Sequence, residues 1–235
     1  SGWQASLAFG ALIRGDAQVV VQEGVLLVRL PKAPAATRPD LVASVTTYAT
    51  PHVGTPIADV VLGLVVDERL ADLADRLVRL IGAPLWDASG EETSVFASLR
   101  QLSTPGIEAF NAAYPDSPGV AYYSLTGRTD RSLGATDCAV GDAPEFIARY
   151  ARSIDTVDPL LDIAEQVTGG GLENVPNDGL VRARDARWGR FLGCVPADHF
   201  DEIGQLLGDR PGITNDFDYV ELYVDLVAFL RAEGY

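Results

Sequence analysis

Two hydrophobic periods run along this chain. Leu41 to Tyr48 reads LVASVTTY, a β-branched and apolar run with the character of a buried parallel strand. Val120 to Leu125, VAYYSL, predicts a second strand. Between them the period lengthens. Val66, Leu70, Leu73, Leu77 and Leu80 recur at helical spacing, with Asp67, Glu68, Asp72, Asp75 and Arg79 opposite them. That stripe predicts an amphipathic helix from Val66 to Ile81. Shorter helices are expected over Pro56–Leu64, Val95–Leu102 and Pro144–Tyr150. A last one spans Tyr219 to Ala232, with Val220, Tyr223, Leu226, Val227 and Leu230 facing inward. The first 37 residues are less regular. They predict a short helix around Ala5 to Ile13, a Gly15-Asp16 turn and a strand through Gln18–Val21. Pro31 and Pro34 forbid a regular helix beyond that.

Composition narrows the class. A chain of 235 residues, 47% hydrophobic and 22% charged, suits one α/β domain with a large core. The net charge of −15, from 18 basic against 33 acidic residues, argues against nucleic acid or an anionic membrane as partner, since both need basic patches. No apolar run approaches the roughly 18 residues of a membrane span. Cys138 and Cys194 are the only cysteines, and an even pair without C-x-x-C spacing permits one disulfide in an oxidising compartment. The chain starts at Ser1, contains no Met and shows no signal peptide, which suggests a processed or trimmed product.

Candidate chemistry gathers between Pro176 and Asp209. Asp178 sits in an Asn-Asp-Gly turn, and His199, one of two histidines, opens a run that reads as a loop feeding a helix. An Asp followed by a His on a later loop matches the last two members of a Ser…Asp…His triad. The Asp would hold the imidazole tautomer and the His would take the nucleophile's proton. By itself an Asn-Asp-Gly run is only a turn, because these residues tolerate the backbone angles a turn needs. Asp158-Pro159 reads equally as a helix N-terminus, with Asp as cap and Pro in the first turn. Gly169-Gly170-Gly171 is a loop rather than a phosphate cradle, since no Lys-Ser or Lys-Thr follows it. No G-x-S-x-G occurs anywhere in the chain, and none of its eleven serines has such a setting.

The order NDGLV at 177–181, RWGRFLG at 187–193 and DHFDEIGQLLG at 198–208 resembles the C-terminal third of the secreted, calcium-containing bacterial triacylglycerol lipases. Ala49-Thr50-Pro51-His52-Val53-Gly54 and the STPGIEAFNAAYP block at 103–115 resemble the same family in the same order. The resemblance covers about residues 38 to 235. It implies one α/β-hydrolase domain over 1–235, a mainly parallel sheet flanked by helices, with a lid region at about 56–94 and an atypical stretch at 1–37. The helix at 66–81 is then either a packed core helix or the lid over an acyl pocket. The implied activity is hydrolysis of long-chain acylglycerols at an oil–water interface, with Asp178 orienting His199 as the base and His52 structural. The resemblance also implies one structural calcium, held by the carboxylates of Asp158 and Asp201 and the carbonyls of Gln205 and Asp209. Hard oxygen donors of that kind suit the ion.

The same likeness implies a secreted monomer, in some relatives served by a dedicated membrane-anchored folding chaperone. The family's usual disulfide places its second cysteine where this chain has Arg184. A bridge from Cys138, in the loop after strand 120–125, to Cys194, in the loop before His199, is expected in its place. The main departure falls before Arg38, where the family carries its GHS(x)GG nucleophile elbow. The natural gene product is expected to carry such a segment there, and the 235-residue chain alone is expected to be inactive on p-nitrophenyl esters and unreactive to a fluorophosphonate. The alternative is a catalytically inactive relative that binds lipid or a protein partner through the helix at 66–81.

Overall fold

The computed structural model describes residues 42–64, 95–129, 138–170, 175–204, 211 and 215–235, together with the backbone paths of 8–13, 18–22 and 25–29. The expected helix at 66–81, the loop at 83–94, Gln205 and Asp209 lie outside the described residues.

A four-stranded sheet forms the centre, in the order β1 (Ala8–Ile13), β4 (Val42–Tyr48), β5 (Ala121–Gly127), β6 (Arg190–Val195). β4, β5 and β6 run parallel, and β1 pairs antiparallel on the edge of β4. A separate hairpin joins β2 (Gln18–Gln22) to β3 (Val25–Arg29). The expected helix around Ala5 to Ile13 is therefore a strand over Ala8–Ile13. Six apolar residues are too few to separate the two periods, and backbone pairing along β4 decides for the extended form. β5 and β6 are buried through their carboxyl-terminal halves without alternation, as strands covered on both faces are.

Helices pack against this sheet. α1 (Pro56–Val61) is capped by Thr55, whose hydroxyl accepts from the Ile57 N–H, with Pro56 in the first turn. α2 (Val95–Leu102) leads into α3 (Thr104–Ala113), capped by Ser103. Asp59 of α1 holds the start of α3, accepting from the Thr104 N–H at 2.9 Å and from its hydroxyl at 2.6 Å. α4 (Glu145–Ala148) and α5 (Asp162–Thr168) are short. α6 runs over Tyr219–Ala232, as its pattern predicts, and Asp218 caps it by accepting from the Val220 and Glu221 N–H groups.

The inner face of α6 matches the expected one at Leu226 and Leu230, with Tyr223 packed against the core, and differs at Val220 and Val227, whose place Leu222 takes. Leu222, Leu226 and Leu230 are buried, whereas Val220 and Val227 are exposed. Apolar residues ring this helix, so periodicity leaves two faces open. The larger leucines go inward against Leu125, Leu192 and Val195 of the main core, which removes more apolar surface from water. A second cluster joins Ile57 and Val60 of α1 to Ala164 and Val167 of α5.

Cys138 and Cys194 form a disulfide, as expected. Cys194 lies inside β6 rather than in the loop before His199. The bridge packs with Ala183 and Phe191, and so fastens the 138–140 segment to the sheet beside the Asp178 turn.

Candidate active site

The loop that leaves the carboxyl end of β6 and the turn between α5 and β6 build the site. β6 ends at Val195, and Pro196-Ala197-Asp198 carries the chain to His199. Beside it, β5 ends at Gly127. A Cβ on Gly127 would lie 2.1 Å from the Ala197 carbonyl oxygen and 2.5 Å from Glu202 Oε1, so only glycine allows the two strand ends to close this tightly.

Asp178 is held by the turn that the Asn-Asp-Gly run predicts. The Asn177 side chain accepts from the Gly179 N–H at 2.8 Å, and Gly179 takes φ +100°, a conformation that suits glycine. Asp178 Oδ1 accepts from the N–H groups of Leu180 at 2.8 Å and Val181 at 2.6 Å. Neighbouring elements lock the turn from outside. The Thr55 hydroxyl donates to the Leu180 carbonyl, the Thr168 hydroxyl donates to the Gly179 carbonyl, and the Thr129 N–H donates to the Asn177 carbonyl. The Thr50–Pro56 loop, α5 and β5 thus all fix one buried carboxylate.

Asp178 and His199 come together. The His199 N–H donates to the Asp178 carbonyl at 2.8 Å, and the ring Nδ1 lies 3.0 Å from Asp178 Oδ2. Asp178 is fully buried, while the His199 side chain keeps 28% of its surface exposed. This arrangement assigns the proton to Nδ1 and leaves Nε2 as the basic atom. Burial opposes charging of the ring, but the Asp178 carboxylate and its hydrogen bond outweigh it and raise the His199 pKa.

Glu202 is a site residue that sequence reasoning passed over, although it lies within the quoted DHFDE run. It is buried, accepts from the Gly127 N–H at 2.6 Å through Oε1, and places Oε2 3.7 Å from His199 Nδ1. Burial, then the Asp178 charge, push its pKa well above the carboxylate range. Its spacing of three residues from His199, on one turn, is the only signal that could have marked it.

A second acidic group lies behind the first. One carboxylate oxygen from each of Asp155, Asp198 and Asp201 falls within 4.8 Å of the others, and all three residues are buried. Of the expected calcium carboxylates, Asp201 is in this group and Asp158 is not. Asp158 contributes its backbone: its N–H donates to Asp198 Oδ2 at 2.8 Å, and its carbonyl accepts from Leu161 and Asp162 in the turn ahead of α5. Asp155, rather than Asp158, shares this group with Asp198 and Asp201. It is 1% exposed, and neither of its oxygens has a hydrogen-bond partner. Burial, then the charges of Asp198 and Asp201, raise its pKa to about 8. Buried carboxylates without donors are costly. A hard cation would compensate the Asp155 oxygens directly, and three clustered carboxylate oxygens are a donor set that fits a metal ion of that class.

His52 stands apart from the dyad. Its ring stacks on Trp188 at 4.7 Å, and Nε2 lies 2.9 Å from the Thr47 hydroxyl. Burial lowers its pKa to about 4, only partly offset by Asp116. These contacts give it a packing role, as expected.

No protein-family model matches the chain. It is 32% identical over 195 residues to a triacylglycerol lipase of Vibrio cholerae, covering 74% of this chain and 54% of that protein. A triacylglycerol lipase of Pseudarthrobacter phenanthrenivorans is 25% identical over 77% of this chain and 65% of its own length. A triacylglycerol lipase of Pseudomonas fragi is 27% identical over 85% of this chain and 68% of its own length. The chain spans about half to two thirds of the curated relatives it matches. Over about three quarters of its length the chain is thus similar in sequence to bacterial triacylglycerol lipases, and its Asp–His pair lies in the part that resembles them.

Proposed function

We propose that this chain is part of a carboxylic ester hydrolase of the α/β-hydrolase fold, a triacylglycerol lipase acting on long-chain acylglycerols. The observation that carries the reading is the 3.0 Å contact between His199 Nδ1 and buried Asp178. Asp178 keeps the proton on Nδ1 and stabilises the imidazolium that forms when Nε2 takes a proton from the attacking serine hydroxyl. The same Nε2 then returns that proton to the leaving alkoxide, and repeats both steps with water as the nucleophile. The serine is not assigned to any residue of this chain, which contains no G-x-S-x-G.

Calcium is the cation this reading places between Asp155 and Asp201. Bound there, it would neutralise the buried carboxylates and fix the loop that carries His199. Gln205 and Asp209 stay in the proposed ligand set by resemblance, through their carbonyls. Secretion agrees with the disulfide, which persists in oxidising compartments. Monomeric state and help from a folding chaperone remain part of the proposal.

The second reading is a non-catalytic relative that binds lipid or a protein partner. Fatty-acid release from emulsified long-chain triacylglycerol by the gene product separates the two. The lipase reading expects release, with loss of roughly 1,000-fold or more in Asp178→Asn and His199→Ala. Release that is unchanged by His199→Ala overturns the assigned roles, and no release at all leaves the binding reading. For the 235-residue chain itself, a fluorophosphonate adduct on any serine would name a nucleophile and overturn the account of its N-terminal third.

A further inference from the structure

We infer that the cation site of this chain holds a third carboxylate, Asp198, which makes it a trianionic site suited to trivalent as well as divalent hard cations. The inference rests on the cation reading above and extends it.

Asp198 is fully buried at the last position before His199. Its Oδ1 accepts from the N–H groups of Phe200 at 2.9 Å and Asp201 at 3.1 Å, and its Oδ2 accepts from the Asp158 N–H at 2.8 Å. All three donors are neutral backbone groups, so no cationic side chain balances the charge through these bonds. An ionised carboxylate offers about four lone-pair positions. Three are taken, which leaves one on Oδ2. Asp155, with two buried oxygens lacking hydrogen-bond partners, supplies the independent sign that a cation belongs here.

The three bonds also set geometry. Oδ1 folds the His199 loop so that Asp201 returns toward Asp198, and Oδ2 grips the loop that bears Asp155. Asp198 thus joins the two cation-binding loops through its backbone bonds and adds a third negative charge at their meeting point. Affinity at oxygen sites follows ligand charge count and rigidity. An additional unit of charge strengthens a trivalent ion more than a divalent one, because the Coulomb energy scales with the product of charges. A residue that only shaped the loop would affect both ions alike.

Calorimetric Ca²⁺ titration and Tb³⁺ luminescence titration of the full chain and its variants provide the test, with no dependence on catalysis. Asp155→Ala should abolish binding of both ions. Asp198→Asn should weaken Tb³⁺ by roughly tenfold or more, and Ca²⁺ by distinctly less. Asp198→Glu should keep the wild-type ratio of the two affinities. Asp158→Asn, which retains the N–H and removes a charge outside the group, should weaken both ions less than Asp198→Asn does. Asp198→Ser, whose hydroxyl accepts similar N–H bonds without charge, substitutes if the Asn variant does not fold. If neutral variants at 198 weaken both ions equally, or neither, the third-carboxylate inference is overturned while the cation reading stands. If Asp155→Ala binds Ca²⁺ as wild type does, the cation reading itself falls, and this inference with it.

Discussion

His52 shows how one residue's environment becomes a property of the whole protein. Its ring is pinned between Trp188 and the Thr47 hydroxyl, and burial lowers its pKa from 6.5 to about 4. In the unfolded chain the ring protonates near pH 6.5; in the folded chain it resists until about 4. Between these values the unfolded state binds more protons, so this group's contribution to stability is full above 6.5 and is lost as pH falls toward 4. After discounting for the ring's partial exposure, the loss is about 1–2 kcal/mol. Urea unfolding of wild type and His52→Phe across pH 7 to 4 checks it. The gap between the two proteins should move by that amount in favour of the variant as pH falls; a constant gap refutes the shift.

Single residues also explain what local sequence could and could not reveal at the site. Asp178 was legible because its turn is made by its neighbours: Asn177 and Gly179 supply the geometry, and Leu180 and Val181 supply the donors. Asp155 was not, because nothing within its own loop makes it special. Its place depends on Asp198 and Asp201, which reach it from the far end of β6.

Among the elements, α6 carries the sharpest contrast. Its start, its cap at Asp218 and its length follow from the local sequence, while its rotation does not. Leu222 is fully buried and Val224 is 63% exposed on the same helix. Leu222→Ala should cost about 2–5 kcal/mol, the range for deleting a buried leucine side chain. Val224→Ala should change stability by less than about 0.5 kcal/mol, since it leaves no cavity and alanine favours the helix. Chemical denaturation of both variants measures the difference, and equal effects would contradict the inward placement of Leu222. β1 teaches the same lesson: its short apolar run becomes a strand because β4 offers an edge to pair with.

At the scale of the whole molecule, a disulfide holds the site's surroundings to the sheet, and the proposed calcium would add a second link. The Cys138–Cys194 bridge spans 56 residues and fastens the segment ahead of α4 to β6. Replacing both cysteines with alanine should cost about 2–4 kcal/mol, with a matching fall in melting temperature, because the unfolded chain regains the freedom the bridge removes. Titration of two free thiols in the native protein would contradict the bridge. The proposed calcium is the second link, between the Asp155 loop and the His199 loop. A ligand bound only by the native state stabilises it by mass action, so chelator should lower the melting temperature and added calcium should restore it. A melting temperature indifferent to chelator would remove calcium from the account.

What the sequence by itself determined is what short-range physics controls. β4 and β5 are rich in apolar, β-branched and aromatic residues, α6 carries its own cap, and the Asn-Asp-Gly run forms its own turn around Asp178, which neighbouring elements then lock. The pairing of Asp178 with His199 was legible through the resemblance of these motifs in their order. Tertiary structure alone decided the rest. It chose strand for Ala8–Ile13, Leu222 over Val220 and Val227 on α6, and the grouping of Asp155 with Asp198 and Asp201. Each of these turns on which distant segment arrives alongside: a strand edge, a core surface, or a second loop of carboxylates. Such encounters are set by the packing of the entire sheet, and no window of neighbouring residues contains them.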